Sequence, residues 1–538
     1  MKPPGAESAL PPLDVSIEEL ENLLERARPA LGEEGYEKLR AAVRTLVYLT
    51  ELLEKKETTL AALRELLCPA STEKTGKVLQ QAGIGTGEKK PGLEDASQKR
   101  KRAVAGHGRN GAAAYSGAQK IKVLHASLKA GDPCPETACD GKVYPQRNPG
   151  VLLRIQGQAP IAATVYELEK LGCNLCGKVF TAAAPQDVGE KKNDETAASM
   201  IALLRHGSGL PWNRLENLEN SLGIPLPAAT QCEIAAETAV LLQPALEELH
   251  RQAAQGEVVH NDDTSMRLLS LDRDADISPE QTGVFTSGLV WIYQERRIAL
   301  YFTGCKHAGE NLAEVLKQRM AGLPPLIQNC DALSRNVPKL GETLVANCNA
   351  HGRRNFVKVT PNFPEQCRFV LETLGEVYGY DEPARGMSAE ERLHFHQEHG
   401  GPVMEKLHTW CQLQFEERAV EPNSGLGQAI SYLLKHWEKL NLFLRVAGAP
   451  MDNNLVERAL KKAILHRKNS LFYKTRKGAQ MGDLFTTLIH TCELNGVNAF
   501  DYLTELQRHA EELKQNPSAW MPWNYRDTLA RLATPAAA

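Results

Sequence analysis

Between residues 257 and 347 five short strand-like segments follow one another in an order that few sheets accommodate. GEVVHNDDTSMRLLSL opens the series and places acids directly after a short apolar strand. TGVFTSGLVWIYQ and RRIALYFTG read as a hairpin with its turn near Glu295 and Arg296. A helix, GENLAEVLKQRM, then leads to PLIQNCDAL, again a strand ending in an acid. TLVANCNAHGRRNFVKV supplies a fifth strand and another helix. Three antiparallel strands followed by alternating helix and strand predict a mixed α/β sheet. From about Pro361 to Pro450 the chain is helical and polar, which reads as a helical insertion ahead of the helix that starts in MDNNLVERALKKAILHRKN.

A mixed sheet of this order, the ribonuclease H type, puts acids where phosphodiester chemistry needs them. Cleavage requires an activated nucleophile and a stabilised leaving oxygen, which two magnesium ions about 4 Å apart supply. Magnesium takes hard oxygen ligands and keeps several waters, so a few carboxylates suffice. Asp262 and Asp331 each follow a strand, and Glu457 lies on the first turns of a later helix for which Asp452 is the natural N-cap. Taken singly, each acid reads more readily as an exposed loop residue, so the pattern alone nominates the three without assigning them.

The 538 residues are too many for one core, and roughly three or four domains are expected. Neither a membrane-spanning apolar run nor a signal peptide is visible, which makes a cytoplasmic protein with no membrane partner the expectation. A net charge of −3 does not advertise a nucleic-acid binder, but the charge is segregated. From Arg458 to Gly478 there are eight lysines or arginines and no acid, and Lys99 to Arg102 is a second basic run. DNA phosphates must approach a carboxylate cluster, and neighbouring cations offset that repulsion, so Arg458, Lys461, Arg467 and Lys468 are candidate DNA-backbone contacts.

Residues 1–68 read as helical. Ser16 with Glu19 fits a capping box, and Pro29, Gly32 and Gly35 interrupt the pattern. Leu39, Leu46, Leu53, Leu60 and Leu67 then recur at heptad spacing, which suits either a coiled coil or an amphipathic helix docked on its own chain. Residues 69–120 read as a flexible, partly basic linker. In 121–184 two cysteine pairs, Cys134 with Cys139 and Cys173 with Cys176, are separated by strand-like sequence. That spacing predicts a zinc ribbon holding one structural Zn2+ by four thiolates, the alternative being buried cysteines without metal. Residues 185–250 carry two helices around Gly223-Ile224-Pro225, in the manner of a helix-turn-helix and equally of a generic helical hairpin. The core is then expected in 251–360 and 451–490, with the insertion at 361–450 and a C-terminal helical segment at 491–538.

HNDDTS, QNCDAL, ANCNAHGRRNF, MDNNLVERALKKAILHRKNSLF and HTCELNGVNAFDYL occur in this order, with GHGRNGAAAYSGA and GSGLPWNRLENLENSLGIPLPAATQ ahead of them. In these segments the chain closely resembles transposases of the insertion-sequence-66 family, over nearly its whole length from about residue 100. The resemblance implies a DDE transposase that binds terminal repeats of its element, cuts a strand to expose a 3′ hydroxyl and joins it to target DNA. Two Mg2+ or Mn2+ ions would serve the reaction, without a covalent protein intermediate. Its three acids fall on Asp262, Asp331 and Glu457. Asp262-Asp263-Thr264 stands where Asp-Glu-Thr is usual, so Asp263 is kept as a second metal-binding candidate. Cys348 and His351 resemble a Cys-x-x-His motif of several transposase groups, and a structural role is expected for them, with Cys305 and His307 as neighbours. A bacterial, nucleoid-associated homo-oligomer, working with or without accessory transposition proteins, completes the expectation. Two rival readings are a ribonuclease H-fold nuclease that cuts without joining and a decayed transposase that only binds DNA.

Overall fold

The computed structural model describes residues 24–29, 36–37, 39–40, 75–81, 126–136, 139–145, 158–172, 179–185, 191–270, 283–339 and 343–533. It divides into two units, 1–86 with 357–372, and 87–356 with 373–538. In the first unit residues 24–29 are helical, and the Tyr36 hydroxyl donates to Glu25 Oε1 at 2.5 Å. Of the heptad leucines only Leu39 is described, and it is exposed; Leu46, Leu53, Leu60 and Leu67 lie outside the described residues. Within the stretch read as a linker, Thr75–Gln81 forms a helix (α1) with Leu79 buried on it.

The second unit begins with the cysteine pairs. Around Cys134 and Cys139 the chain closes on itself, with Cys134 N–H donating to Gly141 O at 2.8 Å and Gly131 N–H to Val143 O at 2.9 Å. Strands β1 (Lys170–Gly172) and β2 (Val179–Thr181) pair antiparallel on either side of Cys173 and Cys176, which lie outside the described residues. Helices α2 (Glu195–Ala202), α3 (Trp212–Ser221) and α4 (Ala228–Ala253) follow. Gly223, at φ +77°, makes the turn between α3 and α4. Such a conformation costs glycine little and a β-carbon-bearing residue more.

The sheet comprises β3 (Val258–Ser265), β5 (Phe285–Tyr293), β6 (Arg296–Gly304), β7 (Leu326–Cys330) and β8 (Thr343–Asn347), in the order β6-β5-β3-β7-β8. The pairings β3–β5 and β5–β6 are antiparallel and β3–β7 and β7–β8 are parallel, so a mixed five-stranded sheet forms as expected. Two details differ. The hairpin turn sits at Gln294-Glu295, both at positive φ, one residue earlier than the sequence suggested. Strand β3 also runs through its acids to Ser265 instead of stopping before them, because Asp262 to Ser265 pair with Gly288 to Phe285. A short β4 (Leu268–Ser270) leaves the sheet to pair with β9 (Tyr473–Thr475).

Side chains alternate across the strands, and helices take both faces. Leu289, Trp291, Ile298 and Leu300 share one core with Leu242, Ala245 and Leu249 of α4 and with Leu312 of α5 (Ala308–Leu316). Beyond β8 come α6 (Asn349–Val359), α7 (Pro364–Ala384), α8 (Ala389–Phe395), α9 (Gly401–Glu416), α10 (Gly425–Lys435) and α11 (Trp437–Leu440). No strand interrupts them among the described residues of 361–450. On the opposite sheet face Val290, Ala299 and Tyr301 pack against Val456, Ala459 and Leu460 of α12 (Asn454–Ser470). Helices α13 (Arg476–Leu494), α14 (Ala499–Arg508), α15 (Ala510–Gln515) and α16 (Tyr525–Ala533) close the chain. The C-terminal segment joins the first core through Tyr502, Leu503, Leu506 and Trp520.

Strand β6 is an edge strand, and an unpaired edge invites pairing with another chain. Here α13 covers it with polar side chains. Asp483 accepts from Thr303 N–H at 2.7 Å, Thr487 Oγ1 from Tyr301 N–H and Thr491 Oγ1 from Ala299 N–H, each at 3.2 Å. Asn495, just past the helix, accepts from Arg297 N–H at 3.2 Å. A four-residue helix step of about 6 Å matches a two-residue strand step of about 6.7 Å, so the match lasts several turns. Replacing Thr487 and Thr491 together by Val keeps the shape but leaves two buried N–H groups unpaired. The double variant is expected to lose about 2–4 kcal/mol in urea unfolding; an unchanged midpoint would mean the edge is held by packing alone.

Candidate functional site

Asp262 lies on β3, where period-two alternation turns it to the α12 face together with His260. Asp331 follows the last residue of the adjacent parallel strand β7. Glu457 is in the first turn of α12. One amide links the first two: Asn336 Nδ2 donates to Asp331 Oδ1 at 2.5 Å and lies 3.4 Å from Asp262 Oδ1. Burial pushes the Asp262 carboxyl up to about 7, a hydrogen bond from Asp263 N–H opposes this, and the charges of Asp331, Asp263 and Glu457 raise it further. All three nominated acids therefore share one electrostatic neighbourhood.

Asp263 faces the other way. Its side chain is 1% exposed and saturated: Ser287 Oγ donates to Oδ1 at 2.6 Å, while His307 Nδ1 and Ala308 N–H reach Oδ2 at 2.9 and 3.1 Å. It fastens β3 to the start of α5. His307, expected with Cys305 as a neighbour of Cys348 and His351, is thus engaged with Asp263 and lies tilted against the Phe285 ring. Cys305 packs instead against the small cluster of Met266, Leu268 and Tyr473.

The N-cap of α12 is Asn453, not Asp452. Asp452 accepts from Asn454 N–H at 3.1 Å, one residue short of a cap. Asn453 is fully buried and ties the helix start to β3: Nδ2 donates to Asn261 O at 3.1 Å, and Oδ1 lies 3.2 Å from His260 Nδ1. Its own N–H donates to Cys348 Sγ at 3.2 Å. Burial pushes the His260 imidazole down to about 4, so it is neutral and its Nδ1–H can donate to Asn453. Neither Asn336 nor Asn453 was singled out from sequence, although Asn453 stands inside the MDNN segment.

Glu457 has two neighbours from α6, the His351 imidazole at Nδ1 and the Arg354 guanidinium at Nη2, each at 3.7 Å. Cys348, His351 and Glu457 place their ligand atoms within 4.8 Å of one another. Of the nominated cations, Arg458, Lys461 and Lys468 are exposed along one stripe of α12. Arg467 is not free in the same way; it donates to Ser265 O at 2.5 Å and to Ser265 Oγ, bracing α12 on the end of β3.

Asp331 also borders a cleft of about 900 Å³ whose walls carry Lys306, Arg335, Lys339, His436 and Lys439 as well as Glu310 and Glu314. The lysines and the arginine come from three separate stretches of sequence, so no charge run announces them. On the helix pair α3–α4 the first helix exposes Asn213 and Arg214. The second helix has Glu233, Glu237, Glu247 and Glu248 but no lysine or arginine before Arg251, and its inner stripe is in the core.

The family model described as "Transposase IS66 family" matches residues 193–481, more than half of the chain. Three proteins of Sinorhizobium fredii are similar. "Uncharacterized protein y4hP" is 25% identical over 387 residues, covering 66% of this chain and 67% of its own. "Uncharacterized protein y4jD" is 33% identical over 187 residues, 34% of this chain and 36% of its own. "Uncharacterized protein y4qI" is 25% identical over 348 residues, 62% of each chain. No solved structure matches.

Proposed function

Because the chain belongs to the IS66 family of DDE transposases, we propose that it cuts and joins DNA at the cluster formed by Asp262, Asp331 and Glu457. The observation that carries this reading is that one amide, Asn336 Nδ2, reaches both Asp331 Oδ1 and Asp262 Oδ1, while burial and the charges of Asp331, Asp263 and Glu457 push the Asp262 carboxyl up. Carboxylates gathered at such a cost suit divalent cations, and Glu457 Oε1 is buried without a hydrogen bond, as an oxygen reserved for a ligand would be. Two Mg2+ or Mn2+ ions held by the three acids would activate the attacking oxygen and stabilise the leaving one. Asn336 orients Asp331 and reaches towards Asp262, Asn453 fixes the start of the Glu457 helix against β3, and Arg354 steadies the Glu457 carboxylate. Asp263, fully paired, holds β3 to α5 and takes no metal in this scheme.

DNA would run along the cleft beside Asp331 and over the exposed stripe of α12. Replacing Lys339 and Lys439 together by Glu is expected to weaken binding of element-end DNA at least about tenfold and to flatten its salt dependence. The triple change at Lys461, Arg467 and Lys468 should also weaken binding, but Arg467 adds a loss of stability because it braces β3. A salt slope unchanged in both variants would place the DNA elsewhere.

The finer architecture fits the same reading: a ribonuclease H-like core, a helical insertion, and a zinc ribbon at Cys134, Cys139, Cys173 and Cys176. Support for the ribbon is the closed turn around the first pair and the β1–β2 hairpin flanking the second. A homo-oligomer acting on terminal repeats and target DNA is proposed with it. No helix among the described residues is long and apolar enough to cross a membrane. The deciding experiment is cleavage and strand transfer on labelled element ends with Mg2+ or Mn2+. Joined products support a transposase, and cleavage without joining points to the nuclease reading.

A further inference from the structure

Glu457 belongs to two constellations at once. On one side it joins Asp262 and Asp331, an all-oxygen set. On the other it faces Cys348 and His351, with sulfur, nitrogen and oxygen ligand atoms all within 4.8 Å. Ligand atoms about 2.0–2.3 Å from one tetrahedral ion lie about 3.3–3.8 Å apart, so this set has to close by no more than about 1.5 Å to hold a metal. Two of its atoms, His351 Nδ1 and Glu457 Oε1, are buried, make no hydrogen bond and stand 3.7 Å apart. The third, Cys348 Sγ, is buried in the helix-start region and accepts the Asn453 N–H at 3.2 Å; burial pushes its thiol up to about 12, so the sulfur gives up its proton only to a metal that displaces it.

Softness separates the two constellations. Magnesium has little use for a thiolate, whereas zinc is bound well by sulfur, imidazole and carboxylate together. We propose that Cys348, His351 and Glu457 form a zinc site, and that zinc bound there withdraws Glu457 from Asp262 and Asp331 and so switches off the magnesium-dependent reaction. On binding, the Cys348 thiol proton passes to solvent as the sulfur–zinc bond forms, and nothing is oxidised or reduced. The switching half of the proposal rests on the transposase reading above; the binding half does not. Nor does it involve the paired cysteines of the ribbon, which lie far along the sequence from residue 348.

The test uses the full chain, stripped of metal and titrated with Co2+, whose thiolate charge-transfer absorption reports cysteine ligation. Wild type is expected to take up one more Co2+ equivalent than Cys348→Ser, while Cys173→Ser loses a different equivalent, that of the ribbon. His351→Gln, which keeps the thiol, should weaken the Cys348 equivalent at least about tenfold, and serves if the serine variant does not fold. In strand transfer with excess Mg2+, the Zn2+ concentration for half inhibition should rise at least about tenfold in Cys348→Ser. Equal Co2+ uptake by wild type and by folded Cys348→Ser or His351→Gln overturns the site. Differing uptake with unchanged zinc inhibition overturns the switch. If wild type shows no Mg2+-dependent joining but Cys348→Ser loses its Co2+ equivalent, the site stands and the transposase reading falls.

Discussion

Asp262→Asn is expected to slow strand cleavage by about a thousandfold or more, roughly 4 kcal/mol of transition-state stabilisation, with little change in affinity for DNA. The asparagine keeps the size and the hydrogen bond from Asp263 N–H but removes the charge that would hold a cation. Glu457→Gln should match it. A loss below tenfold in both, measured with saturating Mn2+, would remove these residues from the chemistry. The same variant gives a pH test. Asp262 is raised from an ordinary carboxylate value to about 7 in the fold, so its contribution to stability is complete at low pH and is lost as pH rises through 7. A divalent cation bound to the ionised carboxylate restores it. Mn2+ should therefore raise the melting temperature more at pH 8 than at pH 6 in wild type, and this difference should shrink in Asp262→Asn. Asp483, also raised to about 7 by burial, leaves a pH dependence common to both proteins, which is why the comparison between them is the informative one.

Much of the core was legible because strand rhythm and acid position are both local signals. GLVWIYQ and RRIALYF alternate about apolar runs, and the acid of PLIQNCDAL stands one residue beyond a fully buried strand. Separating Asp262 from Asp263 required the pleat, since neighbours on a strand point to opposite faces and only pairing to β5 says which face is which. The edge protection by α13 was hidden for a different reason. Asp483, Thr487 and Thr491 recur every four residues, but in sequence that spacing reads as one polar stripe of an ordinary helix. Only the neighbouring strand turns it into a ladder. The cleft cations were hidden likewise, because Lys306, Arg335, Lys339 and Lys439 converge only through folding. The second helix of the hairpin at 212–253 shows the reverse case. Its local pattern suits a DNA-reading unit and a generic hairpin alike, and the fold adds that its buried stripe serves the sheet while its charges before Arg251 are acidic.

Asn453→Ala is the second change with a large expected effect, and it acts through placement rather than contact with DNA. The side chain joins the two elements that carry Asp262 and Glu457, donating to Asn261 O and accepting from neutral His260. Truncation leaves both partners buried and unpaired, which should cost about 3 kcal/mol in urea unfolding. It should also lower kcat by about a hundredfold, because displacements on the order of 1 Å in a catalytic cluster have that effect. A merely structural role would lower stability and leave the folded enzyme's metal requirement unchanged. A positioning role predicts that the folded variant needs a higher Mn2+ concentration for half-maximal cleavage. Asn453→Asp separates the two halves of the bridge, since it retains an acceptor for His260 but no donor for Asn261. Its metal requirement should fall between wild type and alanine; a requirement equal to wild type in all three proteins would show that the Glu457 helix finds its place without Asn453.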